Sequence, residues 1–415
     1  MIGLIADDLT GASEVAGVCL EKRIPFHFFV GIPTVESLSK AAEAFHVLNG
    51  NVRNGVLLVA LDTRSRSMEE AIEAVSRTAA NLVAAGADDG FKKVDSTLRG
   101  WVLPETRAMA AAFGRKSIII EPANTRLDRN IRDGKYYISD LPLHKTAFSR
   151  DPEFPAFSSD VRELLTARAK GSPKSDIGFT VPDCMNISDQ RKLLRRQPEG
   201  VLFAGSSEFW GEFLSHAVYE SLLMPARGRF TFKSLLGFPE DDLDSADEFS
   251  LKSSLMVCGS AQRSSADFVA FMSGKGFPTV EIPDWMCLKE KPSSEQMQGW
   301  ADGMAAKWQE DSRLILHFPP KEIPNPKYPH IKPTLGPAEL RERMTEAVTL
   351  LLARIKPEKL LIEGGATAYS LFEVMGWTDL KPVREWLLGV VEMETADGMD
   401  ITLKPGSYRW PKFSW

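Results

Sequence analysis

The chain opens on an apolar run, Ile2 to Ala6, which ends at two carboxylates, Asp7 and Asp8, and passes into small and apolar residues at helical spacing from Ala12 to Leu20. The same grammar recurs downstream. Apolar stretches near Gly3 to Ala6, Pro25 to Val30, Val56 to Leu61, Asp89 to Val94 and Ser117 to Ile120 alternate with helical patterns at Glu36 to Glu43, Met68 to Ala85 and Pro104 to Phe113. Short apolar strands separated by amphipathic helices predict a parallel sheet covered on both faces. Val201 to Ala204, running into Gly205-Ser206-Ser207-Glu208, is a further strand-to-helix handover. The second half repeats the pattern, with strands at Leu255 to Cys258, Leu314 to Phe318 and Leu360 to Glu363, and a packing helix from Leu340 to Ile355.

Between the halves, the acidic stretch Pro239 to Glu248 holds few apolar groups to bury and predicts an exposed linker. The expected division is residues 1–226 as an N-terminal domain, 227–252 as the linker and 253–415 as a C-terminal domain. The fold class is α/β: two Rossmann-like domains, each a mostly parallel sheet flanked by helices. The proline-studded stretch Pro319 to Pro333 reads as a rigid connector.

Three polar segments fall where predicted parallel strands hand over to helices, which is where open α/β sheets bind ligands. Asp7-Asp8-Leu9-Thr10-Gly11 offers acceptors for hydroxyls or for a hydrated divalent cation, although helix capping alone explains such a segment in isolation. Asp62-Thr63-Arg64-Ser65-Arg66 follows the third strand. Lys92-Lys93-Val94-Asp95-Ser96-Thr97-Leu98-Arg99-Gly100 follows the fourth, and combines cations for a carboxylate with Asp95 and Ser96 for hydroxyls. Convergence of the three would suit a small polyhydroxy acid, with Asp7, Asp8, Arg64, Lys93, Val94, Asp95, Ser96 and Arg99 as its contacts.

In the second half, Cys258-Gly259-Ser260-Ala261 and Glu363-Gly364-Gly365-Ala366-Thr367 are strand-to-turn junctions at which glycines let backbone N–H groups approach a phosphate, with a helix expected from near Ala368. Neither a Walker A lysine motif nor a complete GxGxxG is present, which disfavours P-loop NTPases and ordinary dinucleotide dehydrogenases.

Three motifs in this order, Asp7-Asp8-Leu9-Thr10-Gly11-Ala12, Thr63-Arg64-Ser65 and Lys93-Val94-Asp95-Ser96-Thr97-Leu98-Arg99-Gly100, resemble the four-carbon acid sugar kinase family. The resemblance implies phosphorylation of threonate, erythronate or 3-oxo-tetronate by ATP with Mg2+ in an interdomain cleft. It implies substrate contacts at Asp8, Arg64 and Lys93 to Ser96, and ATP contacts at Ser260, at Gly364, Gly365, Ala366 and Thr367, and at Gly406. For such chemistry Asp8 is the first candidate to orient or deprotonate the attacking hydroxyl and Asp95 the second; the metal ligands stay unassigned. This chain departs from its relatives at Lys404-Pro405-Gly406-Ser407-Tyr408, where they carry a Lys-x-Gly-Asn-Phe-Gly-like segment, and after Pro122-Ala123. A non-catalytic sensor of sugar acids and nucleotide, and a nicotinamide-dependent sugar-acid oxidoreductase, are the rival readings.

Charge narrows the partners. A net charge of −6 and a pI near 5.7 leave no basic face for nucleic acid, so an anionic substrate must be drawn by local cations, for which Arg64, Arg66, Lys92, Lys93 and Arg99 are available. The six histidines lack metal spacing, and no apolar run reaches the roughly 18 residues that cross a bilayer. Four scattered cysteines and the absence of a signal peptide before the first strand point to the cytoplasm. The sequence allows a homodimer without requiring one.

Overall fold

The computed structural model describes residues 1–49, 55–151, 153–195, 200–223, 249–260, 263–318, 335–406 and 408–414. The chain divides into two compact units, Met1–Glu240 and Asp241–Trp415. Residues 227–248 of the expected linker and the 319–333 stretch lie outside the described residues.

Unit 1 begins β1 (Ile2–Ala6), α1 (Leu9–Glu21), β2 (Phe26–Val30), α2 (Val35–Asn49), β3 (Val56–Ala60) and α3 (Met68–Ala84). It continues β4 (Asp89–Lys93), α4 (Val102–Ala112) and β5 (Ser117–Glu121). After an excursion through β6 (Arg129–Arg132), β7 (Lys135–Ile138), β8 (Leu141–Pro142) and α5 (Val161–Arg168), the chain returns as β9 (Gly178–Thr180), α6 (Ile187–Arg195), β10 (Val201–Gly205) and α7 (Ser207–Leu223).

Seven of these strands form a sheet in the order β2-β3-β1-β4-β10-β5-β9, with every pairing parallel. β1 is central: Ile2 pairs with Val56 on one side and with Asp89 on the other, so the carboxyl ends of β3, β1 and β4 stand side by side. Continuous burial explains the apolar runs of β1 and β3. β4 breaks that rule because strand alternation sends its two lysines to opposite faces, Lys92 into an ion pair with Glu105 of α4 at 2.9 Å and Lys93 toward α1. Lys92, expected among the local cations that draw an anionic substrate, is completely buried and paired with Glu105.

The local signals act as capping rules predict. Asp8 caps α1 by accepting from the Gly11 N–H at 2.8 Å, which starts the helix at Leu9 rather than Ala12. Ser67 and Glu70 form a capping box on α3. The β6–β7 hairpin turns through Asp133 and Gly134, both at positive φ, as a two-residue hairpin loop requires.

Unit 2 comprises β11 (Phe249–Ser250), β12 (Ser254–Cys258), α8 (Arg263–Gly274), β13 (Thr279–Glu281), α9 (Ser294–Asp311) and β14 (Arg313–His317). It ends α10 (Pro337–Leu352), β15 (Lys359–Glu363), α11 (Gly365–Met375), β16 (Asp379–Leu387), β17 (Val390–Thr395), β18 (Asp400–Lys404) and β19 (Phe413–Ser414). Its sheet runs β13-β14-β12-β15-β18-β17-β16, parallel from β13 to β18 and antiparallel for the last two pairings. Ordered packing reaches back to Phe249 rather than starting at 253, because that ring is buried against Trp386 and Phe413 with centroids 4.8 and 5.3 Å away. Among the described residues no helix is long and apolar enough to cross a membrane, and the four cysteines are free and buried.

At the end of β5 the Glu121 carboxyl is buried. One oxygen accepts from the Ala123 N–H at 2.9 Å and the other has no partner among the described residues. Burial pushes this acid up to about 8, against the help of the Ala123 amide and Cys184. A carboxyl raised on folding binds more protons folded than unfolded between pH 4.5 and about 8, so stability falls as pH rises through that window, by up to about 1.4 kcal/mol per pH unit. Glu121→Gln should remove this slope, and denaturant unfolding of both proteins from pH 5 to 8 checks it; an unchanged slope in the variant would place the titration elsewhere.

Candidate substrate and nucleotide sites

The carboxyl ends of β3, β1 and β4 bring the three polar segments of unit 1 together. The N–H groups of Thr63 and Arg64 both donate to the Asp7 carbonyl, at 3.1 and 3.4 Å, which fixes the segment after β3 against the one after β1. From that anchor the Arg64 side chain spans both aspartates: Nε and Nη2 donate to Asp7 Oδ2 at 3.2 and 3.0 Å, and Nη1 pairs with Asp8 Oδ2 at 3.0 Å. Asp7 Oδ1 is buried with no partner among the described residues. Gly100, at φ +88°, lies close enough that a Cβ there would stand 3.4 Å from Asp7 Oδ2 and from Arg64 Cγ, so the third segment also closes on this point.

Proton affinities divide the carboxylates. Burial raises Asp8 above its ordinary value, and the neighbouring Asp7 charge adds to this against Arg64 and Lys93. Asp95 is buried too, yet Arg99 and Arg64 outweigh the desolvation and hold it well below the carboxylate range. Its oxygens are occupied: Oδ1 accepts from Arg99 Nη2 at 2.9 Å, and Oδ2 from the Thr97 hydroxyl, the Thr97 and Arg99 amides and Arg99 Nε at 2.5 to 3.2 Å. Arg99 also reaches Asp151 at 3.4 Å.

Lys93 Nζ donates to the Val94 carbonyl at 3.1 Å and pairs with Glu14 at 3.5 Å, so Val94 enters the site through its backbone. Ser96 Oγ accepts from Arg129 Nη1. Arg66 does not join the cluster: its Nε turns back to the Asp62 carbonyl at 3.0 Å. Two arginines without a motif signal complete the surroundings. Arg168 clamps the Leu98 carbonyl, where the backbone takes φ +64°, and donates to the Phe154 and Pro155 carbonyls at 3.0 Å, while Arg129 arrives from β6.

In unit 2 the adjacent carboxyl ends of β12, β15 and β18 gather the glycine turns. Gly259 N–H donates to the Glu363 carbonyl at 3.1 Å, and Gly364 N–H to the Lys404 carbonyl at 2.9 Å. A Cβ on Gly259 would fall 2.1 Å from Thr367 Oγ1, and one on Gly406 2.9 Å from Ser260 Oγ, so the absent side chains are what let these groups converge. α11 starts at Gly365 rather than near Ala368, with Gly364 at φ +104° as its cap and no side chain bonded to its first amides; Ala366 and Thr367 thus sit in its first turn. Beneath the turn, Lys404 pairs with Glu363 at 3.4 Å and donates to the Pro405 and Tyr408 carbonyls at 2.9 and 2.7 Å. Gly259 belongs to the expected Cys258-Gly259-Ser260-Ala261 junction, whereas the Lys404–Glu363 pair carries no motif signal of its own.

A family model described as a sugar-binding N-terminal domain matches residues 2–202. A D-threonate kinase of Bordetella bronchiseptica is 33% identical over 208 residues, 47% of this chain and 49% of that protein. A 3-oxo-tetronate kinase of Haemophilus influenzae is 29% identical over 175 residues, 41% of this chain and 39% of the relative. A D-erythronate kinase of Heliobacterium modesticaldum is 32% identical over 177 residues, 42% and 37% of the two chains. The chain thus spans less than half the length of these curated relatives. Two solved structures share the fold along nearly the whole chain: a Salmonella typhimurium LT2 protein with a TM-score of 0.72 at 19% identity, covering 98% of this chain and 96% of that one, and a Haemophilus influenzae protein with 0.64 at 18%, covering 98% and 97%. The three N-terminal motifs lie inside the region matched by the sugar-binding N-terminal domain model, and over that region the chain is similar to kinases of four-carbon acid sugars.

Proposed function

We propose that the protein transfers the γ-phosphoryl group of ATP in line to a hydroxyl of a four-carbon sugar acid of the threonate, erythronate or 3-oxo-tetronate class. The observation that carries this reading is the glycine-lined cradle of unit 2. Gly259, Gly364 and Gly406 leave room for phosphate oxygens beside the Ser260 and Thr367 hydroxyls, and the uncapped start of α11 offers amides and a positive helix end. A non-catalytic sugar-acid and nucleotide sensor would keep the same cradle and is separated from a kinase by ATP consumption with threonate or erythronate, whereas a dehydrogenase would present a dinucleotide fingerprint.

Phosphoryl transfer asks chiefly for positioning and charge stabilisation. Asp8 is the group suited to accept the hydroxyl proton, since its Oδ1 is held by the Gly11 amide, its Oδ2 by Arg64, and its proton affinity is raised by burial. Asp95, spread over Arg99 and Thr97, holds the loop that presents Ser96 instead of acting as base. Among the described residues no group of three metal-ligating side chains forms. Mg2+ bound with ATP would neutralise phosphate charge, and Asp7 Oδ1, which has no partner among the described residues, would be the protein oxygen to meet it directly or through water. In the ternary complex the acceptor hydroxyl and the terminal phosphate must come within bonding reach. The unpaired, buried cysteines suit a reducing cytoplasm.

Asp8→Asn should abolish ADP release with all three acids while leaving nucleotide affinity unchanged, and the wild-type kcat/KM should fall on the acid side with an apparent pKa above 3.8. A variant with unaltered kcat would remove Asp8 from the chemistry. Gly259→Ala should displace Thr367 and weaken ATP binding at least tenfold by calorimetry, with sugar-acid binding intact. Wild-type ATP affinity in that variant would mean the nucleotide sits elsewhere.

A further inference from the structure

The charges around the acid site are unequally spent. Arg64 is committed to Asp7 and Asp8, Lys93 to Glu14, and Arg99 to Asp95 and Asp151. Arg168 gives its donors to three backbone carbonyls. Arg129 differs: among the described residues it has no carboxylate partner, its Nη1 donates to the Ser96 hydroxyl, and its Nε is buried with nothing to bond. Its guanidinium stands 5.7 Å from the centroid of Phe148, and that of Arg99 stands 5.5 Å from the same ring. Two cations on one ring repel each other, and an anion received beside them relieves that repulsion.

The β6–β7 hairpin supplies a second group. Arg129 pairs with Ile138 and Ile131 with Tyr136, so strand alternation sets Arg129, Ile131, Tyr136 and Ile138 on one face, with Arg129 and Tyr136 as diagonal neighbours. Ile131 and Tyr136 are completely buried, and the Tyr136 hydroxyl has no partner among the described residues. Burial keeps that phenol protonated and hence a donor, while the Arg129 charge, the strongest acting on it, works against the shift. Ser96, accepting from Arg129, retains its own hydroxyl hydrogen.

We propose that Arg129, with the Ser96 and Tyr136 hydroxyls, receives the carboxylate of the sugar acid, and that this trio selects acids over neutral sugars. The inference rests on unit 1 being the acid site, and not on phosphoryl transfer. It is tested by calorimetric titration of the full chain, without nucleotide, with threonate and erythronate and with the neutral tetritols threitol and erythritol. A charged, bidentate contact is commonly worth 10- to 100-fold in affinity. Arg129→Gln should therefore weaken acid binding by about 100-fold and Tyr136→Phe by about 5-fold, leaving tetritol binding unchanged, while Arg129→Lys should recover about 10-fold of the loss. Thermal unfolding midpoints report whether each variant is folded; should Arg129→Gln fail to fold, Arg129→Lys and Tyr136→Phe carry the test. Acid affinities at the wild-type level in the folded Arg129 variants, or a wild type that binds tetritols as well as acids, would overturn the proposal. Loss of acid binding in Arg129→Gln together with no ADP release from the wild type would support this site and remove the kinase reading instead.

Discussion

Two adjacent carboxylates at the end of a buried strand stay in place only if a cation is fixed beside them, and Arg64 is that cation. Its position is set by backbone, not by chance contact. β3 pairs in register with β1, and the Thr63 and Arg64 amides close on the Asp7 carbonyl, so the guanidinium arrives already aimed. Asp8 is at once the cap of α1 and a member of this network, which ties the start of the first helix to the charge arrangement of the site.

That arrangement has a consequence for recognition. A guanidinium spread over two carboxylates has little positive potential left for a third, so the cations most visible in the motifs are those least able to hold an anionic substrate. Arg99 is in the same position, bidentate on Asp95. Among the described residues the motif cations are paired with carboxylates, whereas Arg129 on β6 donates to the Ser96 hydroxyl and has no carboxylate partner. Asp8 keeps a raised proton affinity because burial and the Asp7 charge outweigh Arg64 and Lys93.

Much of this could be read from the residues alone. The alternation of apolar runs and helical spacing located β1 to β5, and the three polar handovers located the segments that β3, β1 and β4 bring together, because a parallel sheet places every strand end on one edge. The hairpin bearing Arg129 and Tyr136 escaped, since Arg129-Asn130-Ile131-Arg132 has no clean alternation and its pairing depends on an Asp-Gly turn and on the distant Cys184 backbone. Lys92 misled for a related reason: two consecutive lysines look like a surface patch until strand geometry sends one of them to Glu105. The antiparallel turn of β16 to β18 was equally hidden, as local pattern does not reveal strand direction. The role of Gly259 depends on Thr367, more than a hundred residues away.

Unit 2 shows how a proline directly after β18 is accommodated. Proline at 405 supplies no N–H, which would loosen a turn held by donors from within. Here the turn is held from the opposite side: Lys404 reaches the Pro405 and Tyr408 carbonyls, Tyr408 N–H returns to the Pro405 carbonyl at 3.0 Å, and Glu363 neutralises the lysine from below. Burial disfavours the charge on each partner, lowering Lys404 and raising Glu363, and their attraction works against both shifts. Unit 1 uses a similar device, Lys93 over the Val94 carbonyl with Glu14 as its partner. A strand-end lysine that folds back over carbonyls holds the following loop where Pro405 offers no N–H, with Gly406 beside Ser260.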